Sequence, residues 1–129
     1  MKTNFILLLT SDNTLEKLLA ASLPDRRIQI LKAENVDRAL KIACDRHTDL
    51  SFGMIDFDEG CHGMTLLGAI GMLRADLPVV VVTGNDTYHA ASLAYANGAA
   101  ACLAKPFSVA ELKLVLDDLS HIKLELAAA

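Results

Sequence analysis

Three side chains of different chemistry close three apolar runs. Ser51-Phe52-Gly53-Met54-Ile55 ends on Asp56, Val79-Val80-Val81-Val82 ends on Thr83, and Ala101 to Ala104 ends on Lys105. In a parallel sheet such strand ends converge at the carboxyl edge, where ligands bind. An acid, a hydroxyl and an amine meeting there suit phosphoryl transfer. The run Lys105-Pro106-Phe107 adds a stiff loop that holds one cation in one place.

The elements that must position these groups follow from the hydrophobic pattern. Phe5–Leu9 reads as a first strand. Leu15, Leu18, Leu19 and Ser22 mark one face of a first helix, with Asp12 or Asn13 as its cap and Pro24-Asp25 as its stop. Ile28–Leu31 reads as a second strand. Val36, Ala39, Leu40 and Ala43 repeat at helical spacing, and Phe52–Ile55 is a third strand. Glu59 to Gly63 reads as a loop. A third helix carries Leu66, Leu67, Ile70 and Leu73 and is weakened by Gly68 and Gly71. Val79–Val82 is the fourth strand, and Tyr88 to Asn97 the fourth helix, stopped at Asn97-Gly98. Ala101–Ala104 is the fifth strand. Val109, Leu112, Val115, Leu116 and Leu119 line a fifth helix that runs to about Leu126. Five strands alternating with five helices predict an α/β three-layer sandwich. Right-handed crossovers favour the flavodoxin-like five-stranded parallel sheet of order 2-1-3-4-5.

Composition narrows the function. The 129 residues fit one domain, 1–129, with a sizeable core. Hydrophobic residues make up 53% of the chain, as expected for a sheet buried on both faces. No apolar run approaches the roughly 20 residues that span a bilayer, and the N-terminal stretch lacks a signal-peptide pattern. A net charge of −4 argues against a nucleic-acid-binding face. Three cysteines, Cys44, Cys61 and Cys102, without metal-ligand spacing fit a reducing cytoplasm. Cys44 and Cys102 read as small buried hydrophobes and Cys61 as a loop residue. His47, His62, His89 and His121 are scattered and carry no metal role. Gly60-Cys61-His62-Gly63 lacks the spacing of a dinucleotide fingerprint.

The ordered landmarks resemble the receiver domain of two-component response regulators, from about Phe5 to Leu119. Asp56 stands where that family has its phosphoacceptor. Gly63 matches its loop glycine, Thr83 its Thr or Ser, Asn97-Gly98-Ala99 its Gly-Ala, and Lys105-Pro106-Phe107 its Lys-Pro-Phe. The resemblance also implies an acidic pair at the end of the first strand that holds a divalent cation. Thr10 and Ser11 occupy those places here, and Asp12 falls one place later. A hydroxyl is a poor ligand for Mg²⁺, a hard cation that wants charged oxygens. Asp12, Asp56 and Asp58 are the residues left to form a metal site. Asp58 stands where the family uses a backbone carbonyl, and Asp12 enters the site if the first strand slips by one residue. The family's aromatic switch position, three residues before the lysine, is Cys102. The Met-Pro pair usual after the phosphoacceptor is replaced by Glu59-Gly60.

The expectation is a receiver or receiver-like signalling domain rather than an enzyme. Asp56 is its phosphoacceptor, with Thr83 and Lys105 converging on it, and Mg²⁺ is at most weakly held. The resemblance implies a sensor histidine kinase or phosphotransfer protein as donor. It also implies an output domain, partner protein or second copy on the face of the fourth helix, fifth strand and fifth helix. The run of Ala90, Ala91, Ala94, Ala96 and Ala99 to Ala101 makes that face smooth, with Tyr95 and Cys102 nearby. The alternative is a small flavodoxin-like ligand-binding or enzymatic domain, with Thr10-Ser11-Asp12-Asn13-Thr14 as a hydroxyl-rich phosphate loop. Asp56 also has a plain structural reading as the salt-bridge partner of Lys105, and Asp12 as a helix cap.

Overall fold

The computed structural model describes the backbone of residues 4–23, 28–45, 47–57, 63–84 and 87–128, and the side chains of these except 87–88 and 120–128. Strands and helices alternate: β1 (Asn4–Leu9), α1 (Asn13–Ser22), β2 (Ile28–Ala33), α2 (Val36–Cys44), β3 (Leu50–Asp56), α3 (Gly63–Leu73), β4 (Val79–Thr83), α4 (Thr87–Ala96), β5 (Ala101–Ala104) and α5 (Val109–Ala128). The five parallel strands take the order β2-β1-β3-β4-β5, as the pattern predicted. Both faces of this sheet are covered, which is why β4 reads as an unbroken valine run.

Alternation along the strands divides the core in two. Ile6 and Leu8, Phe52 and Met54, and Val80 and Val82 face Leu15 and Leu19 of α1 and Leu112 and Leu119 of α5. Leu7 and Leu9, Ile55, and Val79 and Val81 face Ala39 and Ala43 of α2, Leu66, Leu67 and Ile70 of α3, and Ala94 of α4. A register shift between Phe5 and Ile6 of β1 passes over Ser51 and sets the pairing that leads to the sheet edge.

Local chemistry starts the helices. The Asp12 carboxylate accepts from the Thr14 amide at 2.8 Å, and the Asn35 side chain accepts from the Arg38 amide at 2.8 Å. Ser108 Oγ accepts from the Glu111 amide at 3.1 Å and lies 3.5 Å from its carboxylate, a capping box that opens α5. Gly98, at φ 100°, follows the end of α4. Beyond α2, the Asp45 carboxylate accepts from the His47 amide and the Thr48 hydroxyl, which hold it below the usual carboxylate range.

Several expectations need correction. β2 extends to Ala33, α4 begins at Thr87 and ends at Ala96, and α5 continues to Ala128. Gly63 is not in the loop but opens α3. Cys44 is exposed and Cys102 half-buried rather than both being core residues. Ala94 is fully buried and forms no part of a smooth outer face. Cys61 and His62 lie outside the described residues.

Candidate functional site

The stripe that faces α1 and α5 continues past the strand ends. Ile6-Leu8 leads to Thr10, Phe52-Met54 to Asp56, and Leu103 to Lys105. The period of two therefore delivers a hydroxyl, a carboxylate and an ammonium to one side of the sheet edge. Thr83 continues the other stripe, after Val79 and Val81, and reaches the edge from the α3 and α4 side. It is buried, and its carbonyl accepts from the Lys105 amide at 2.9 Å.

Asp56 is 0% exposed. A buried carboxylate is costly unless paired and hydrogen-bonded, and Asp56 is both. Its Oδ2 accepts from the Thr10 hydroxyl at 2.9 Å and from Lys105 Nζ at 3.0 Å. Thr10 Oγ1 in turn accepts from the Asp12 amide at 2.9 Å. Asp12 uses Oδ1 to cap α1 and places Oδ2 3.9 Å from Lys105 Nζ. The alternative in which β1 slips by one residue does not occur. Leu9 pairs with Ala33 and Ile55, so Thr10 lies beside Asp56, while Asp12 reaches the site from the head of α1. Ser11, the other residue at the acidic-pair place, is exposed. Asp58 lies outside the described residues.

Gly63 fixes the wall beneath the site. A Cβ there would lie 2.7 Å from Phe57 Cδ1 and 2.8 Å from Ile55 Cγ2. The glycine lets α3 close onto the strand that ends in Asp56. On the opposite side a cleft of about 180 Å³ opens between α1 and the loop after β5, lined by Asp12, Thr14, Leu15, Leu18, Lys105, Pro106 and Phe107.

A family model of the response regulator receiver domain matches residues 6–117. The chain belongs to that family. Its fold is similar to that of a response regulator receiver domain protein from Clostridium thermocellum, at 22% identity and a TM-score of 0.81, over 95% of this chain and 98% of that one. The signal receiver domain of an HD domain-containing protein from Pseudomonas fluorescens Pf-5 gives 22% identity and 0.82, over 100% and 96%. The receiver domain of NtrX from Brucella abortus is 28% identical, with a TM-score of 0.76, over 88% and 96%. Against the longer NtrX chain the match spans 29% of that protein. Comparison with curated proteins gave no match. The family match decides for a two-component signalling domain over the ligand-binding alternative.

Receiver domains bind Mg²⁺ at an acidic pocket, so the donors present here are the test. Mg²⁺ takes near-octahedral oxygen ligands and sheds water reluctantly. Among the described residues, no group of three or more His, Cys, Asp or Glu side chains is placed to hold a metal ion. The Thr10 proton points at Asp56, one Asp12 oxygen is committed to the helix cap, and the Lys105 ammonium already bonds Asp56 and faces Asp12. These described donors do not fit a magnesium cage.

From the sequence, Thr10 reads as a missing metal ligand or as part of a hydroxyl-rich phosphate loop. Its hydrogen bond to Asp56 went unread. The signal for it was the period of two from Ile6 through Leu8.

Proposed function

We propose that the chain, read as one unit over 1–129, is a receiver that takes a phosphoryl group on Asp56 and binds divalent metal weakly. The observation that carries this is the buried Asp56 carboxylate at the end of β3, bonded by Lys105 Nζ at 3.0 Å. The donor is a phosphohistidine of a sensor kinase or phosphotransfer protein. A carboxylate oxygen of Asp56 forms the new O–P bond as the P–N bond breaks, and the imidazole leaves. Lys105 offsets part of the charge on the incoming group. Thr83, at the adjacent strand end, supplies a hydroxyl. The cleft beside Asp12 and Lys105 is the route of approach, because Asp56 itself is closed to solvent.

Output runs through the face of α4, β5 and α5. There Leu93 is 42%, Tyr95 52% and Leu114 67% exposed, a surface that suits a protein partner, an output domain or a second copy. Cys102 replaces an aromatic lever with a small thiol, so binding responds weakly to phosphorylation. The setting is cytoplasmic. No helix among the described residues is long and apolar enough to cross a membrane.

The test is intact mass after incubation with a small phosphodonor and magnesium. One phosphoryl group should add to the wild type and none to Asp56→Asn. Labelling that survives in Asp56→Asn sinks the assignment.

A further inference from the structure

The Thr10 hydroxyl is spent twice. It is buried, it accepts from the Asp12 amide at 2.9 Å, and it donates to Asp56 Oδ2 at 2.9 Å. The first bond occupies a lone pair on the loop side and fixes where the proton goes. That proton fills the space between the two oxygens. An octahedral Mg²⁺ with bonds of about 2.1 Å sets adjacent ligand oxygens about 3.0 Å apart. The Thr10 and Asp56 oxygens already have that separation. Their spacing is thus compatible with neighbouring metal ligands, while the proton between them and the missing charge are not.

We infer that Thr10 is the residue that sets the divalent-cation affinity of this pocket, its hydroxyl acting with the Lys105 ammonium to hold Asp56 as a cation would. Thr10 is a positioning residue: it acts through Asp56 and touches no substrate. The inference builds on the reading of Asp56 as the site's centre but does not require that Asp56 be phosphorylated. Asp12 and Lys105 face the pair from α1 and from the loop after β5, and their charges cancel. That leaves Asp56 as the net charge of the described cluster. A carboxylate at position 10 removes the proton, doubles that charge and adds a hard oxygen ligand.

The experiment is a titration of unphosphorylated protein with Mg²⁺, and with Mn²⁺ as a paramagnetic probe, followed at the amides of residues 10–12, 56–57 and 105. The wild type should show no saturation at millimolar Mg²⁺. Thr10→Asp should bind at least about tenfold more tightly, the change that about 1.4 kcal/mol produces. Thr10→Asn has the same shape without the charge and should behave as the wild type. Saturable millimolar binding by the wild type overturns the inference, and that arm needs no variant to fold. A folded Thr10→Asp that binds no better than Thr10→Asn overturns it as well. Absence of phosphoryl labelling would fail the functional proposal and leave this titration unaffected.

Discussion

Thr10→Val isolates what the hydroxyl contributes to stability. Valine keeps the branched shape at the end of β1 and removes only hydrogen-bonding capacity. Two bonds disappear, one to the ionised Asp56 carboxylate and one from the Asp12 amide. A hydrogen bond to a charged group contributes about 1.5–3 kcal/mol, and a neutral one about 0.5–1.5 kcal/mol. Asp56 retains Lys105 in the variant, so its charge is not left unpaired. The expected loss is therefore about 2–4 kcal/mol. At about 3–5 °C per kcal/mol for a chain of this size, the thermal midpoint should fall by roughly 6–20 °C. Urea unfolding gives the same quantity isothermally, and the midpoint should move with the slope unchanged. A double-mutant cycle with Asp56→Ala, which removes the acceptor, separates the Thr10–Asp56 bond from the rest, with a coupling of about 1–3 kcal/mol. A loss below about 0.5 kcal/mol, or a coupling near zero, would refute the account of Thr10 as the internal partner of Asp56.

Two further outcomes follow from other parts of the molecule. Gly63→Ala should destabilise by about 1–3 kcal/mol in urea unfolding, because its new methyl meets Phe57 and Ile55 side chains at 2.7–2.8 Å; a neutral result would mean that α3 shifts outward freely. Burial pushes the Cys102 thiol above its ordinary value of 9.0, so its neutral form is favoured in the folded state. That contribution to stability is fully present below pH 9.0 and is lost as pH rises through the higher folded value. Alkylation at pH 8, mapped by peptide mass, should therefore reach the exposed Cys44 well before Cys102; equal rates would count against the assignment.

The sheet and its order were legible because two signals agreed. Unbroken valines in β4 mark a strand buried on both faces, and apolar residues at three- and four-residue spacing mark the helices that cover it. Asp56, Thr83 and Lys105 were legible because each is a polar residue that interrupts an apolar run, whereas from the same pattern β2 reads two residues short of its end at Ala33. What the sequence hid depended on rotation about helix axes. Ala94 and Cys44 are both small residues in helices, yet one is buried and the other exposed. The weak amphipathicity of the uncharged α4 gave no means of choosing its inner face. Asp12 was hidden differently. The sequence offers it as a helix cap or as a metal ligand, whereas one carboxylate oxygen caps α1 and the other faces Lys105 Nζ. A one-letter pattern cannot divide a side chain into its atoms.

That division of Asp12 ties the pocket to the start of a helix. One oxygen holds the Thr14 amide while the other faces the ammonium that holds Asp56. Any event that draws Lys105 away alters the field at Asp12, and through it the grip on the first turn of α1. The Thr14 amide therefore sits one side chain away from the charge in the pocket, joined to it through the two oxygens of Asp12.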